Sequence, residues 1–197
     1  MMAEIVKVSE PDAIKKAARV LRKRGVIIYP TETCYGMGCI FEYADAKERI
    51  YRIKQRSRQK PLPTIVGSLE VARRYAPLPR LAEKLALAFY PRPLTLVVSD
   101  EFAFRISSHP FAHELARVVN RAIVSTSANL SGKGEIYSAK KVIELFSKKV
   151  DLIVDGGDLP KRPPSTVFDL RTLTVLRVGE IKEREIQELL KFYSVKL

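Results

Sequence analysis

Two cations, two residues apart, are the first feature of this sequence that could do chemistry. Lys54 and Arg56 lie in a segment from Lys47 to Lys60 that holds seven cations and the single acid Glu48. In an extended or helix-exit conformation their side chains point in similar directions. A lysine point charge and an arginine fork could then clamp a triphosphate. The alternative is a solvated helix end, where cations also interact favourably with the helix dipole.

A run of hydroxyl and amide side chains forms a second candidate site. Residues 125–132 read Ser-Thr-Ser-Ala-Asn-Leu-Ser-Gly and directly follow a short apolar segment. Such a loop offers several uncharged hydrogen-bond donors to a phosphate or a carboxylate. It is not a Walker P-loop, because the sequence holds no Gly-x-x-x-x-Gly-Lys-[Ser/Thr]. It could also be a turn rich in serine and asparagine that leads into a helix.

Further polar segments also follow short apolar runs. Residues 29–38 contain two threonine hydroxyls, a carboxylate and two glycines, and glycine lets the backbone approach a ligand closely. A hairpin turn would have the same composition. Residues 105–110 and Arg177, which follows the segment 164–166, add one arginine each. A lone arginine at a strand edge is more often a surface residue, so these two gain weight only from the other candidates.

Alternating helices and strands must position these segments. Apolar residues at helical spacing predict a helix that begins within residues 9–12 and ends before Gly25. The alternation predicts a mixed α/β fold with helices on both faces of one mixed sheet, with antiparallel pairing within 94–106 and 166–177, and ligands bind at the strand ends of such sheets. The other predicted helices are 44–54, 69–75, 80–90, 109–120, 138–146 and 182–192, and the predicted strands are 26–29, 63–66, 94–98, 122–125, 152–154, 166–170 and 174–177.

Length and composition bound the class of protein. With 197 residues and no dividing linker, we expect a single domain over residues 1–197. The hydrophobic share of 46% and the charged share of 29% are typical of a globular chain. No apolar run suggests a membrane span or a signal peptide, which predicts a cytoplasmic protein. The net charge of +13 favours an anionic partner, although surface lysines and arginines also serve solubility.

The two cysteines and two histidines do not form a recognisable metal site. Sixty-nine residues separate Cys39 from His109, against about a dozen in a zinc finger. Cys34 has no histidine near it in the sequence, so a nucleophilic cysteine is unsupported. We therefore expect no metal held by the protein, and two small core cysteines beside a ligand loop.

Taken in order, the motifs of this sequence resemble those of the YrdC-type threonylcarbamoyl-AMP synthase family. Each motif alone is weakly specific, but eight in the family's order, spread over most of the chain, are highly specific. The matching segments are Tyr29–Gly38, Lys54-x-Arg56 followed by Lys60-Pro61-Leu62, Tyr90–Thr95, Arg105–Pro110, Ser127–Gly132, Asp155–Gly157, Ser165–Val167 and Leu176–Gly179.

This resemblance implies a fold, a reaction and partners. The fold would be a three-layer α/β domain with one strongly twisted mixed sheet. The reaction would form threonylcarbamoyl-AMP and pyrophosphate from L-threonine, bicarbonate and ATP, with Mg²⁺ carried by the ATP. The product would serve the threonylcarbamoyladenosine modification of tRNA. The implied partners are therefore a downstream threonylcarbamoyl transferase complex and, by direct binding, tRNA or double-stranded RNA.

The resemblance also implies roles for individual residues. The Lys-x-Arg pair, Lys54 and Arg56, would bind the ATP phosphates, and the Ser-x-Asn pair, Ser127 and Asn129, would help to hold the nucleotide and the reacting groups. These four would be the catalytic residues. The remaining positions would contact substrates: Thr31 and Ser165 on the threonine side, Arg177 on the nucleotide, Arg105 in the pocket lining, and Thr33, Tyr35, Lys60 and Ser125.

The sequence departs from the family pattern at a few positions. Arg92 stands where the family usually has glycine, and Ser107 stands where it has proline. Ile65 or Val66 falls where a histidine is often found. The segment 98–105 is shorter than in many members. Because the chain ends soon after its last motif, we expect it to be of the single-domain type.

Three alternative functions remain open from the sequence. The first is a branch of the same fold with uncertain activity, acting as a protein that binds double-stranded RNA or tRNA. That branch tends to lose the Lys-x-Arg or Ser-x-Asn groups, and this chain retains both. The second is a carbamoyl-adenylate former of hydrogenase maturation, but there the fold lies within a much longer chain. The third is a module that binds double-stranded RNA or tRNA without catalysis, which the basic charge supports, although no aromatic stacking platform is evident. The synthase is the favoured interpretation.

Overall fold

The structure is a computed structural model that describes residues 2–193. Within this range, strands and helices alternate through most of the chain. The strands are β1 (Glu4–Lys7), β2 (Ile27–Pro30), β3 (Tyr35–Gly38), β4 (Thr64–Ile65), β5 (Leu94–Val97), β6 (Ala103–Arg105), β7 (Ile123–Val124), β8 (Thr126–Ser127), β9 (Leu152–Asp155), β10 (Thr166–Asp169) and β11 (Thr174–Arg177). The helices are α1 (Ala13–Arg22), α2 (Ala44–Lys54), α3 (Leu69–Arg73), α4 (Arg80–Phe89), α5 (Pro110–Val119), α6 (Ala139–Phe146) and α7 (Glu183–Phe192).

Helices cover both faces of the first sheet, which has the strand order β1-β9-β2-β3-β8. Side chains alternate along β2, so that Ile27 and Tyr29 pack with α1 and α5, whereas Ile28 packs with α2 and α6. On α1, Ala17 and Leu21 are fully buried, because their spacing places them on the same helix face. The first sheet is therefore the middle of three layers.

The second sheet, with the order β11-β10-β5-β6-β4-β7, packs α3, α4 and α7 on one face. Along β5, Leu94 and Leu96 belong to that packed core, whereas Thr95 and Val97 line a cleft on the opposite face. The pairing is mixed, since β5 is parallel to β10 and antiparallel to β6. The face that these helices leave uncovered can therefore form a binding wall.

The two sheets meet along one antiparallel ladder. Residues 36–40 run against residues 123–127 in a single register. The ladder is interrupted at Ser125, whose backbone N–H donates to the Pro63 carbonyl at 2.8 Å. As a result, β8 belongs to the first sheet and β7 to the second. Gly38 sits at this junction, where a Cβ atom would lie 2.2 Å from a backbone oxygen of β7.

The mixed α/β class predicted from the sequence is confirmed. The prediction of one sheet is wrong. The structure has two sheets joined by the shared ladder, because the chain passes from one sheet to the other at Ser125. Three strands, β1, β3 and β8, have no counterpart among the strands predicted from the sequence. The last two lie inside the polar segments that were expected to be ligand loops. Among the described residues, no helix is both long enough and apolar enough to cross a bilayer.

Candidate active site

A cleft of about 340 Å³ lies where the two sheets meet. Its walls come from the β2–β3 hairpin and the β8 end of the first sheet, and from the uncovered face of the second sheet. Four of the twelve residues assigned from the sequence do not line it, namely Tyr35, Lys54, Lys60 and Asn129. The other eight do, namely Thr31, Thr33, Arg56, Arg105, Ser125, Ser127, Ser165 and Arg177.

Lys54 lies behind the cleft wall. It is the last residue of α2 and is 2% exposed. Its ammonium donates to the carbonyl oxygens of Ser127 and Asn129 and to the Asn129 side chain, the last two at 2.8 and 2.9 Å. Burial, with a smaller contribution from Arg56, lowers the pKa of Lys54 from 10.5 to about 8. All three ammonium donors are used, so this lysine holds the loop that follows β8.

The loop after β8 is bonded within itself and to α2. Ser127 Oγ donates to Asn129 Oδ1 at 2.6 Å, and Asn129 Nδ2 donates to the backbone oxygen of Lys133. The backbone N–H of Ser131 donates to the Lys54 carbonyl at 2.8 Å. Asn129 is therefore a support for the loop, and Ser127 is the member of the Ser-x-Asn pair that faces the cleft.

Arg56 reaches the cleft from the segment after α2. Its guanidinium donates to the backbone oxygens of Lys60 and Pro61, both at 3.2 Å, which leaves further donors for a ligand. The left-handed backbone of Gln55, with φ of 51°, separates Arg56 from Lys54, so the expected clamp of two parallel cations is not formed. Lys60 contributes its carbonyl to this turn, and its exposed side chain does not line the cleft.

The β2–β3 hairpin supplies two threonine hydroxyls. Thr31 Oγ1 donates to the backbone oxygen of Cys34 at 2.6 Å and lies 3.1 Å from Thr33 Oγ1. Tyr35 supports the hairpin from behind, because its hydroxyl donates to and accepts from the backbone of the Gly156-Gly157 turn, at 2.8 and 2.9 Å. The Tyr35 hydroxyl is therefore used within the protein, and the threonines face the cleft.

The second-sheet wall ends at the edge strand β11. Arg177 on this strand donates to the backbone oxygen of Ser165 at 2.8 Å and to its Oγ at 3.0 Å. Ser165 Oγ lies 2.9 Å from Thr95 Oγ1 on β5. Gly179 allows the chain after β11 to approach this closely, since a Cβ atom there would lie 2.1 Å from the Pro164 carbonyl. Arg177 and Ser165 thus form one connected group.

Arg105 forms a buried ion pair that the sequence analysis does not predict. Its Nη1 contacts Glu32 Oε1, and the two side chains are 7% and 5% exposed. Ser107 Oγ donates to the other Glu32 oxygen. Burial lowers the pKa of Arg105 to about 10, so the guanidinium remains protonated at neutral pH. The sequence feature that could have indicated a role for Glu32 was its position between the two threonines of the hairpin.

Other residues of the lining were also missed. Arg162 lies in the proline-rich segment 160–164, which in the sequence reads only as a loop. The sequence feature that could have indicated a role for Arg162 was its charge, three residues before Ser165. Thr95 was missed because it is the polar residue of a strand in which apolar and polar residues alternate. The lining residues without a sequence assignment include Thr95, Glu135, Tyr137, Arg162 and Leu176.

The cysteine in the cleft is not poised for nucleophilic chemistry. Burial raises the pKa of Cys34 to about 11, so its thiol is protonated at neutral pH. Cys39 is buried and also unpaired. Within residues 2–193, no group of three or more His, Cys, Asp or Glu side chains could hold a metal ion. The charged lining of the cleft consists of four arginines and Glu135.

Comparison with known families shows to which family the chain belongs. The Sua5/YciO/YrdC family, described as telomere recombination, matches residues 19–179. The chain belongs to this family. The resemblance drawn from the order of the sequence motifs is thereby confirmed, and every segment of the cleft lies inside the matched range.

Three relatives of the family show how far the similarity extends. A threonylcarbamoyl-AMP synthase of Pyrococcus abyssi (strain GE5 / Orsay) is 35% identical over 193 residues, which covers 90% of this chain and 57% of the relative. The crystal structure of P. abyssi Sua5 complexed with L-threonine has a TM-score of 0.86 at 32% identity, covering 96% of this chain and 61% of that one. The crystal structure of E. coli YciO has a TM-score of 0.79 at 27% identity, covering 92% and 96%. The chain thus spans about three fifths of the length of the P. abyssi proteins.

Proposed function

We propose that this family member forms threonylcarbamoyl-AMP and pyrophosphate from L-threonine, bicarbonate and ATP. The observation that carries the proposal is one cleft in which four arginines converge with the hydroxyls of the hairpin and of Ser127. Arginine forks bind phosphate and carboxylate through paired hydrogen bonds. The synthase name of the 35% identical relative and the L-threonine complex of P. abyssi Sua5 support this choice of substrates.

ATP would occupy the part of the cleft between its two walls. Arg56 and Ser127 come from the first-sheet wall, and Arg177 and Arg162 come from the second. A triphosphate between them would meet donors from both sides, which suits a group with charge spread over many oxygens. Mg²⁺ would enter with the ATP phosphates and keep most of its waters.

Threonine would occupy the inner part of the cleft. The hydroxyls of Thr31 and Ser165 would face its polar groups, and the Arg105 guanidinium would take its carboxylate. Ser125 Oγ is buried and has no hydrogen-bond partner among the described residues, so it retains a donor for a substrate oxygen. Thr33 adds a further hydroxyl beside Thr31.

Lys54 and Asn129 would act by positioning. The resemblance implies that Lys54 contacts phosphate, but its ammonium already donates to three oxygens of the Ser127–Asn129 segment. Through these bonds, Lys54 would fix Ser127 in the orientation that the reaction needs. A displacement of about 1 Å in such a group can cost about 100-fold in rate.

The proposed chemistry needs no nucleophile from the protein. A proton from the threonine ammonium converts bicarbonate into CO₂ and water. The uncharged amine then attacks CO₂ and loses a second proton to solvent as the N-carboxylate forms. An oxygen of that carboxylate then attacks the α-phosphorus of ATP, and the bond to the bridging β-phosphate oxygen breaks. The pyrophosphate leaves with additional negative charge, which preoriented arginines stabilise. The protonated thiol of Cys34 is consistent with this scheme.

Pyrophosphate release tests the proposal. The assay uses the full chain with ATP and Mg²⁺, and omits threonine and bicarbonate in turn. We expect release to require both. Release that is unchanged when either is left out, or no release from a folded chain under any of these conditions, would contradict the proposed reaction.

A matched pair of variants tests the site. Arg56→Ala should slow pyrophosphate release about 100-fold, because it removes a charged donor aimed at the phosphates. Arg58→Ala removes the same charge two residues away, where the side chain pairs with Glu48 and does not line the cleft. We expect that variant to stay within about twofold of wild type, as is typical of an exposed ion pair. Equal loss in both variants would contradict the assignment.

RNA binding is a second candidate function for a different face of the molecule. Arg49, Arg52 and Lys149 line a shallow depression of about 400 Å³ beside α2. Arg49 is paired with Asp151, which leaves Arg52 and Lys149 as the cations of this face for the phosphates of tRNA, the substrate class that the product of the proposed reaction would modify. Filter binding of tRNA at increasing salt should then show a steep loss of affinity that is reduced in Arg52→Ala. If wild type and Arg52→Ala show the same salt dependence, this face does not bind tRNA.

A further inference from the structure

The four arginines of the cleft differ in their partners. Arg105 forms an ion pair with Glu32. Within residues 2–193, no carboxylate lies within ion-pair distance of Arg56, Arg162 or Arg177. Arg56 and Arg177 instead donate to backbone and hydroxyl oxygens, which carry no net charge. The inner arginine is therefore paired with a carboxylate, and the other three form no ion pair among the described residues.

Glu32 is held in place from a second direction. Ser107 Oγ donates to Glu32 Oε2 and accepts the backbone N–H of His109 at 3.3 Å, just before α5 begins. Ser107 stands where the family pattern has proline, which has no hydroxyl to donate. Glu32 is 9% exposed and does not line the cleft, whereas Arg105 does. The carboxylate thus acts on a ligand only through Arg105.

This arrangement divides the cleft by charge. The inner part contains a neutral ion pair and the hydroxyls of Thr31 and Ser125, whereas the outer part contains three arginines against the single carboxylate Glu135 and is therefore positive. A zwitterionic amino acid brings no net charge and a single carboxylate. A polyphosphate brings several negative charges, which the buried Glu32 carboxylate would repel across a short distance of low dielectric.

We propose that Glu32 is a specificity-determining residue that makes Arg105 select an amino-acid carboxylate and reject phosphate groups. One nitrogen of the guanidinium contacts Glu32, and Arg105 lines the cleft, where its remaining donors can meet a ligand. These donors suffice for one carboxylate. This inference rests on the proposed function, because it takes threonine as the ligand of the inner part of the cleft.

Calorimetric titration tests the proposal without depending on turnover. L-threonine and inorganic pyrophosphate are titrated separately into wild type, Glu32→Gln and Glu114→Gln. The last variant removes the same charge from an exposed pair with Arg117 on α5. We expect Glu32→Gln to bind pyrophosphate at least about fivefold more tightly, because the repulsion by the buried carboxylate is lost. Its affinity for threonine should stay within about twofold, because a zwitterion carries no net charge, so the preference for threonine over pyrophosphate should fall. Glu114→Gln should stay within about twofold for both ligands.

Two further variants keep the test decisive if Glu32→Gln does not fold. Ser107→Ala loosens the hold on Glu32 and should raise the affinity for pyrophosphate by a smaller factor. Arg105→Met combined with Glu32→Gln should lose the gain in pyrophosphate affinity, because that gain acts through Arg105. If wild type binds threonine and neither Glu32→Gln nor Ser107→Ala raises the affinity for pyrophosphate, the inference is wrong. If wild type does not bind threonine at all, the proposed function fails, and the pyrophosphate titrations still test the charge effect.

Discussion

The first-sheet wall and the second-sheet wall of the cleft differ in how firmly the protein holds them. On the first wall, Lys54 is 2% exposed and ties the loop after β8 through three hydrogen bonds, and Tyr35 ties the hairpin from behind. On the second wall, β11 is the edge strand of its sheet, and Leu176 is 59% exposed. Groups that must be oriented for reaction benefit from rigid support, whereas a surface that admits and releases a ligand benefits from fewer constraints. We therefore expect the first wall to control rate and the second to control nucleotide affinity.

The largest effect should come from breaking the first wall. Lys54→Met leaves the Ser127 and Asn129 carbonyls without their lysine donor, and Asn129 Oδ1 with only the Ser127 hydroxyl. It should slow pyrophosphate release about 100-fold, because Ser127 loses its orientation. The unpaired carbonyls should also lower the free energy of unfolding by about 1–3 kcal/mol. Turnover and urea unfolding measure the two effects.

The control for this variant is Lys141→Met, an exposed lysine on α6. It should change the unfolding free energy by less than about 0.5 kcal/mol and leave turnover at the wild-type rate. A Lys54→Met protein that is folded and turns over within about tenfold of wild type would show that the loop does not depend on this lysine.

A smaller effect should come from the second wall. Arg177→Lys keeps the charge and loses the fork that holds Ser165. We expect the KM for ATP to rise about tenfold, the equivalent of one charge-assisted hydrogen bond, with kcat little changed. Initial-rate kinetics separate the two constants. A fall in kcat at unchanged KM would show that Arg177 controls the rate. The two walls would then not differ in the way we expect.

The buried lysine also predicts how stability depends on pH. The pKa of Lys54 is about 8 in the folded chain and 10.5 ordinarily, so between these values the unfolded chain binds more protons. The cost of burying the charge is present below pH 8 and is relieved as the pH rises. We expect the unfolding free energy of wild type to increase relative to that of Lys54→Met across this window, measured by urea unfolding at several pH values. A difference that stays constant or decreases would contradict the lowered pKa.

The smallest effect should come from the exposed edge. Leu176→Ser changes a side chain that lines the cleft but has little packing to lose. Its unfolding free energy should stay within about 0.5 kcal/mol of wild type. The KM for ATP should rise less than about threefold, since only part of one apolar side chain is lost from the wall. A large loss of stability would show that the edge strand is held as firmly as the first wall.

Much of this fold was predictable because its helices and inner strands have strong local patterns. The helix predicted over 44–54 is α2, and the strand predicted over 174–177 is β11. The motif order also placed Lys54, Ser127 and Arg177 in one region. It did not show which side chains face the ligand. Lys54 and Arg56 are neighbours in the sequence, but the left-handed residue between them turns one inward and leaves the other at the cleft.

Contacts between distant segments were beyond the sequence analysis for a physical reason. Ser107 and Glu32 are 75 residues apart, and neither belongs to a periodic pattern that would reveal a partner. The pairing depends on how the two sheets meet at Ser125, where the ladder changes from one sheet to the other. That junction follows from the packing of the whole chain. A strand such as β8, two residues long, leaves no local signal to predict it.

The most direct test of the account is to follow labelled bicarbonate into the product. Wild-type chain is incubated with ATP, Mg²⁺, L-threonine and carbon-labelled bicarbonate, and the nucleotides are separated by chromatography. We predict a labelled adenylate that forms in equal amount with pyrophosphate and disappears when threonine is omitted. Pyrophosphate that forms without any labelled adenylate would contradict the claim that this cleft joins the three substrates.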